Sequence, residues 1–334
     1  MGGYDKTYLY KHLFYLSHAA AYMKYLVTGG AGFIGSHIVE SLVQNGDKVY
    51  VLDNLSTGNY KNLKKVSEKI EFTEGDVRDL ESCMTAAKDC DGIFHEAALV
   101  SVVDSIERPQ DNHDINITGT TNVLEAARIQ DCKRVVFASS AAIYGNNPEL
   151  PKNETMLPEP LSPYGAAKIA SEHLLQAYAK QFGIECVALR YFNVYGPRQD
   201  PSSMYSGVIS KFLDCAKNQV TPKIFGDGKQ TRDFVYVEDV VQANLKAMTI
   251  PINIPFMRCN IGIGIATSLL DVVEALRGIS ATFAQPQFEP ERPGDIQHSL
   301  ADIACAREKL GFQPQKTDLK TNLSHILDSN PATN

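Results

Sequence analysis

Positive charge is scarce in this chain: 32 Lys and Arg stand against 39 Asp and Glu, a formal net charge of −7. That balance offers no basic surface for nucleic acid or an anionic membrane, and neither is expected as a partner. No apolar run approaches the ~20 residues of a membrane span. The seven cysteines, at positions 83, 90, 132, 186, 215, 259 and 305, form no C-x-x-C pair and are odd in number. A disulfide framework or zinc site is therefore not expected, and reduced thiols in a cytoplasmic protein are the plain reading. The eight histidines are scattered without ligand spacing, so no metal is expected. Internal repeats and low-complexity tracts are missing as well.

The chain does have enough apolar residues, 44% of 334, for a substantial core. Residues 1–23 precede the first strand pattern and read as a non-catalytic extension. Lys11, His12 and His18 interrupt any apolar segment there, which argues against a signal peptide. From Lys24 onward, apolar β-branched runs alternate with helical patterns. KYLVT, KVYVLD, KIEFTEGD, GIFHEA, RVVFASS and IECVALRYF read as strands. HIVESLVQNG, DLESCMTAA, GTTNVLEAARIQ and the stretch from Tyr164 to Phe182 read as helices. This alternation predicts an α/β fold: a Rossmann-type, doubly wound parallel sheet over residues 24–190. Beyond Tyr191 prolines punctuate shorter elements, which predicts a smaller C-terminal α/β substrate lobe over 191–330, partly interleaved with the sheet. Ligands of such sheets bind outside the carboxyl ends of the strands.

Thr28 to Gly35 read T-G-G-A-G-F-I-G, with Gly29, Gly32 and Gly35 at G-x-x-G-x-x-G spacing between the first strand and the first helix. Glycines there let the backbone turn tightly and approach a pyrophosphate, which sits on the helix N-terminus. The second strand ends in Asp53, 18 residues past Gly35. A carboxylate at that place accepts hydrogen bonds from ribose hydroxyls and repels a 2′-phosphate. Asn54 brings no compensating cation, so NAD is expected over NADP.

Tyr164 and Lys168 form Y-x-x-x-K at a helix start, on one face of the helix. A phenol titrates near 10 and is a poor base at neutral pH; a nearby ammonium is expected to lower that value. A second copy of the motif, Tyr60 and Lys64, lies after the second strand and is assigned to exposed surface. Tyr164 is the one that follows Pro163 and trails a strand ending in Ser139 and Ser140. Ser140 is placed to hydrogen-bond the hydroxyl that Tyr164 deprotonates. Ser140, Tyr164 and Lys168 are the expected catalytic residues.

TGGAGFIGS, LDN, GDVRD, HEAA, SPYGAAK, RYFNVYGPRQ, GDGKQTRDFVYVED and ERPGDIQHSLAD together resemble the extended short-chain dehydrogenase/reductase family, over about Lys24 to Gln315. Within it the chain looks most like the UDP-hexose 4-epimerases, and RYFNVYGPRQDP and RPGDIQHSLADI look like those acting on UDP-N-acetylhexosamines. The resemblance implies that Gly29, Gly32, Phe33, Ile34, Asp53, Asn54, Ser56, Thr57, Gly58, Asp76, Val77, Ala97, Ala98, Asn116, Ser139, Tyr164, Lys168 and Tyr191 bind NAD. It implies that Ser101, Ser140, Asn193, Gly207, Val208, Ile224, Phe225, Arg232, Arg292, Asp295 and Ser299 bind a UDP-sugar, the two arginines on its phosphates. Guanidinium forks suit phosphate oxygens bidentately. A homodimer through a four-helix bundle is implied by the same likeness.

The implied activity is C4 epimerisation of UDP-hexoses through a transient 4-keto sugar. Related 4,6-dehydratases carry an Asp-Glu pair after the strand-end hydroxyl; here Ser140 is followed by Ala141 and Ala142, which cannot move protons. Ser299 matches a position where a bulky aromatic would block a 2-acetamido group, and Gly207 is small too, so N-acetyl sugars are expected to fit. Ala141 departs from the serine of enzymes selective for acetylated sugars. UDP-glucuronate 4-epimerase is the alternative within enzymes. A dinucleotide-binding scaffold without activity would be expected to lack Tyr164 or Lys168.

Overall fold

The computed structural model describes residues 22–201, 207–291 and 296–329. Six strands follow one another through the first half of the chain: β1 (Lys24–Thr28), β2 (Lys48–Asp53), β3 (Ile70–Glu74), β4 (Gly92–His95), β5 (Arg134–Ser140) and β6 (Glu185–Tyr191). Short strands β7 (Asn193–Tyr195), β8 (Lys223–Phe225), β9 (Thr231–Arg232) and β10 (Phe234–Tyr236) come next, before β11 (Phe256–Ile261), β12 (Thr267–Ser268) and β13 (Gln287–Glu289). The central sheet is parallel throughout, in the order β11-β6-β5-β4-β1-β2-β3. The strand order reverses between β1 and β4, and that reversal opens a crevice at their carboxyl ends.

Both faces of the sheet are covered, and strand periodicity assigns each side chain to one of them. Val27, Val51, Phe94, Val136 and Leu189 face one side, against Ile38, Val39 and Leu42 of the helix Phe33–Gln44 and Val240 and Ala243 of the helix Val237–Thr249. Their neighbours Leu26, Leu52, Ile93, Val135 and Ala188 face the other. There they meet the helices Leu80–Ala86, Gly119–Ile129 and Pro163–Phe182. Cys83, Cys90, Cys132 and Cys186 fill that second face as buried thiols.

The lobe has its own core. Tyr195, Ile209, Phe212, Ile224, Phe234, Tyr236, Val272, Leu276 and Leu323 pack together. Three small ladders frame it: β7 with β10 and β8 with β13 in parallel, β9 with β12 antiparallel. The lobe is interleaved with the sheet, because β11, late in the chain, returns to pair with β6 from Cys186–Phe256 to Tyr191–Ile261. Among the described residues no helix is long and apolar enough to cross a membrane.

Candidate active site

The turn after β1 is built by its glycines. Gly29 has φ +67°, and a Cβ there would come within 2.7 Å of the Ala97 backbone nitrogen. A Cβ at Gly35 would fall 2.2 Å from the Gly29 carbonyl oxygen, so only glycine lets the helix start this close to the strand. Gly32 differs: a Cβ would meet just one atom, the Gly29 oxygen at 3.1 Å, and otherwise project outward. Gly32 caps the helix Phe33–Gln44 with no side-chain hydrogen bond. The first turn therefore presents backbone N–H groups beside a position with no side chain, as a phosphate requires.

Asp53, at the end of β2, is buried and accepts from the Ala31 N–H at 2.9 Å and the Leu55 N–H at 2.8 Å. A carboxylate has about four lone-pair sites, so it retains acceptor capacity for hydroxyl donors. Burial raises its pKa, and the two backbone donors oppose that rise. Gly58 packs on this carboxylate, where a Cβ would come 2.8 Å from Oδ1. Asn54 donates to Asp76 at 2.8 Å, and Asp76 also accepts from Arg78 at 2.7 Å, which holds its carboxyl down to about 2. Arg78 escaped the sequence reading. Its guanidinium is paired with Asp76, so it does not stand as a counter-charge for a 2′-phosphate. Val77 is buried beneath Gly119, while Ser56 and Thr57 are exposed.

Ala97 and Ala98 follow β4 and are partly exposed at the crevice. Asn116 lies in a π-helical turn, Asp114–Thr118, and its amide clamps Leu99 with bonds of 2.9 and 3.0 Å. Such wide turns commonly mark functional sites. These bonds fix the loop that carries Ala97 and Ala98.

Ser162 caps the helix Pro163–Phe182 by accepting from the Gly165 N–H, and Pro163 occupies its first turn. Tyr164 thus stands at a helix start, 9% exposed, with its backbone N–H held by Ser105. Its hydroxyl lies close enough to Ser140 for that side chain to act on it. Lys168, one turn on and 3% exposed, donates from Nζ to the Ala138 carbonyl at 2.7 Å. The nitrogen lies 4.7 Å from the centre of the Phe137 ring and 5.7 Å from that of Tyr164. The expected catalytic residues are therefore brought together at the end of β5.

One expectation is reversed. The phenol of Tyr164 is raised, not lowered, from its ordinary value: burial dominates, the Ser140 side chain opposes it, and the Glu96 charge adds to the rise. Lys168 fails to bring it down because its ammonium points at the Ala138 carbonyl and the Phe137 ring. Burial brings Lys168 itself down to about 8, against the pull of Glu96 and Glu172.

Several expected residues serve the scaffold through their side chains. Ser139 donates to Glu172 at 2.6 Å, and Glu172 forms a two-pronged pair with the fully buried Arg190. Arg190 also reaches the Tyr144 hydroxyl, which bonds Asn260 at 2.6 Å. Ser101 caps the helix Val102–Glu107. Ile224 is core, since strand alternation turns it into the lobe, whereas Phe225 is partly exposed. Asn193 is partly exposed at the start of β7, Tyr191 ends β6, and Gly207 caps the helix opened by Val208.

Arg232 and Ser299 are brought near each other: the Ser299 N–H bonds the Thr231 carbonyl, and His298 bridges Thr231. Arg292 and Asp295 lie outside the described residues. Among the described residues no three His, Cys, Asp or Glu side chains group to hold a metal ion.

Residues 25–262 match the NAD dependent epimerase/dehydratase family. The chain belongs to that family. A putative UDP-glucose 4-epimerase of Methanocaldococcus jannaschii is 42% identical over 305 residues, which cover 91% of this chain and 97% of its relative. The UDP-glucose 4-epimerase of Thermotoga maritima, solved with UDP-glucose, superposes with a TM-score of 0.86 at 40% identity, over 92% of this chain and 98% of the other. The UDP-N-acetylglucosamine 4-epimerase of Methanobrevibacter ruminantium M1, solved with UDP-N-acetylmuramic acid, gives 0.88 at 37% identity, over 92% and 97%. The extended short-chain resemblance and the doubly wound fold read from the sequence both stand.

Proposed function

We propose that this chain is an NAD-dependent UDP-hexose 4-epimerase. The observation that carries the reading is the joining of Ser140, Tyr164 and Lys168 at the end of β5, which pairs with β4, itself beside the glycine turn of β1. The crevice fits a dinucleotide: Gly32 leaves a side-chain volume vacant, Asp53 keeps acceptor sites, and Ala97 and Ala98 are small and partly exposed. Gly29, Gly32, Phe33 and Ile34 would hold the pyrophosphate, and Asp53 and Asn54 the adenosine ribose, with Ser56, Thr57, Gly58, Asp76 and Val77 about the adenosine. Ala97, Ala98, Asn116, Ser139 and Tyr191 would line the nicotinamide side. When bound, NAD supplies the acceptor for the C4 hydride, its later donor, and a cationic ring that favours the Tyr164 phenolate.

Tyr164 takes the proton from O4 of the sugar and later returns it to the same oxygen. Ser140 hydrogen-bonds that oxygen and steadies its changing charge. Lys168, kept partly in its ammonium form, adds positive charge to the pocket. Arg232 retains the diphosphate, so the 4-keto sugar can turn and present its other face without leaving. Arg292 and Asp295, with Ser101, Asn193, Gly207, Val208, Phe225 and Ser299, complete the proposed UDP-sugar site, and Ile224 packs behind them in the lobe core. The small Ser299 and Gly207 support acceptance of N-acetylated as well as plain hexoses. The nucleotide half would comprise residues 24–190 and the substrate lobe 191–330.

The test is proton NMR of UDP-glucose, UDP-N-acetylglucosamine and UDP-glucuronate incubated separately with the protein. Inversion at C4 of either of the first two is the expected result. Conversion of UDP-glucuronate alone would favour the glucuronate epimerase, and a 4-keto-6-deoxy product would overturn the reading. Asp53→Ala should weaken NAD binding about tenfold to a hundredfold, as expected for hydrogen bonds to a charged group. Calorimetric titration measures it, and an unchanged affinity would remove Asp53 from the site.

A homodimer in the cytoplasm completes the proposal. Val103 and Ile106, together with Ile129 and Phe182, leave apolar side chains exposed on helices of one face of the sheet, as a helical interface would need.

A further inference from the structure

A chain of three buried or half-buried polar groups, Asn244, Tyr191 and Glu96, runs to the end of β4, whose neighbour β5 carries the Ala138 carbonyl that holds Lys168; neither Asn244 nor Glu96 has a part in the mechanism above. Asn244, on the helix Val237–Thr249, donates to the Tyr191 hydroxyl at 2.7 Å. Tyr191 in turn donates to Glu96 Oε1 at 2.9 Å. Asn244 is fixed in that orientation by a second bond from its amide nitrogen to the Val240 carbonyl, while its own oxygen is buried without a partner. The donors therefore all run one way and terminate on the Glu96 carboxylate. Glu96 is the residue just past β4, and its backbone N–H is held by the Thr28 carbonyl. It follows His95, which pairs with Phe137 across β4 and β5, so it stands next to the strand position whose carbonyl, Ala138, holds the Lys168 ammonium. From there its charge favours the Lys168 ammonium and disfavours the Tyr164 phenolate.

We propose that Glu96, held in place by Tyr191 and Asn244, is a positioning residue that sets the charge states of Tyr164 and Lys168. The proposal rests on the epimerase reading of the site. A side chain that only filled space there would not require an acceptor at the end of an oriented donor chain, nor would it act electrostatically on both members of the pair.

The other charged and titratable groups are arranged so that Glu96 dominates. Glu172 also faces Lys168, but Arg190 is paired to it with two bonds. His95, between Thr28 and Thr120, is held neutral by burial, its pKa down to about 3. Tyr191 is raised well above its ordinary value by burial and the adjacent carboxylate, so it remains a donor. Glu96 itself is brought up to about 7 by burial, against the Tyr191 hydrogen bond and the Lys168 charge. Its carboxylate therefore forms near neutrality and grows as pH rises. With Lys168 at about 8, the ammonium is lost in the range where Glu96 is ionised.

The signs follow. Glu96→Gln keeps an acceptor for Tyr191 and removes the charge. Well below pH 7 wild type and variant carry the same net charge at this position, and their kcat profiles should run parallel. Above it the variant lacks the anion that sustains Lys168, so the alkaline limb of kcat should move to lower pH by about one unit, a tenfold change in the protonation ratio. Glu96→Asp, which restores a carboxylate, should move the limb back towards wild type. The phenol gives a second readout that needs no substrate: ultraviolet absorbance of ionised Tyr164, taken as the difference from Tyr164→Phe. In Glu96→Gln that phenol should ionise at lower pH than in wild type. An alkaline limb that stays in place while kcat falls uniformly would reduce Glu96 to a packing residue and overturn the proposal. A Tyr164 titration unmoved by Glu96→Gln would do the same, even in a protein that epimerises no UDP-sugar.

Discussion

Tyr164→Phe is expected to cut kcat for C4 epimerisation by about a thousandfold, within the usual range for removing a general acid–base group. The ring remains and only the hydroxyl goes, so the helix start held by Ser162 and Ser105 is untouched. NAD released on denaturation should match wild type. The contrast is Tyr60→Phe, at the second Y-x-x-x-K copy. Tyr60 opens the short turn Tyr60–Leu63, is 43% exposed and rests edge-on against Phe72. It should retain nearly full turnover. Comparable losses in the two variants would remove Tyr164 from the chemistry.

The second large effect concerns stability. Glu172 and Arg190 are both essentially inaccessible, and their pairing joins the catalytic helix to β6. Glu172→Ala leaves a buried guanidinium whose remaining side-chain hydrogen bond, among the described residues, goes to the Tyr144 hydroxyl, and it deprives Ser139 of its acceptor. Breaking a buried pair from one side costs about 3–5 kcal/mol, and urea unfolding should show that loss as a lower midpoint at unchanged slope. Replacing both residues by apolar ones of similar volume should recover most of it, because no charge is then stranded. If the single variant unfolded at the wild-type midpoint, the pair would not be buried as described.

The cofactor crevice was legible in the sequence because its parts are local. Gly29, Gly32 and Gly35 lie within one turn, and Asp53 closes the next strand. Tyr164 and Lys168 are a helical turn apart, and Pro163 marks the start of their helix. What the sequence concealed comes from contacts between distant segments. Asn244 meets Tyr191 from 53 positions away, and Tyr191 meets Glu96 from 95. Nothing near Glu96 in the chain announces that a hydroxyl from β6 will point at it. The direction of the Tyr164 shift failed for a related reason. Spacing puts Lys168 on the right face of the helix, but it does not reveal that the ammonium turns to the Ala138 carbonyl. Nor does spacing show how deeply the phenol is buried. Arg78 went unnoticed because its pairing with Asp76 depends on the bend after β3, where the Asp76 carboxylate also accepts the Arg78 backbone N–H.

The return of β11 to the sheet ties synthesis of the two halves together. Until the ribosome has delivered residues 256–261, β6 offers an unpaired row of backbone donors and acceptors along one side. A fragment ending near Tyr191 would keep every residue of the glycine turn and the Tyr164–Lys168 helix, yet it would carry a sticky border able to recruit strands from other copies. The nascent chain is at risk of misassembly for as long as the intervening lobe takes to emerge.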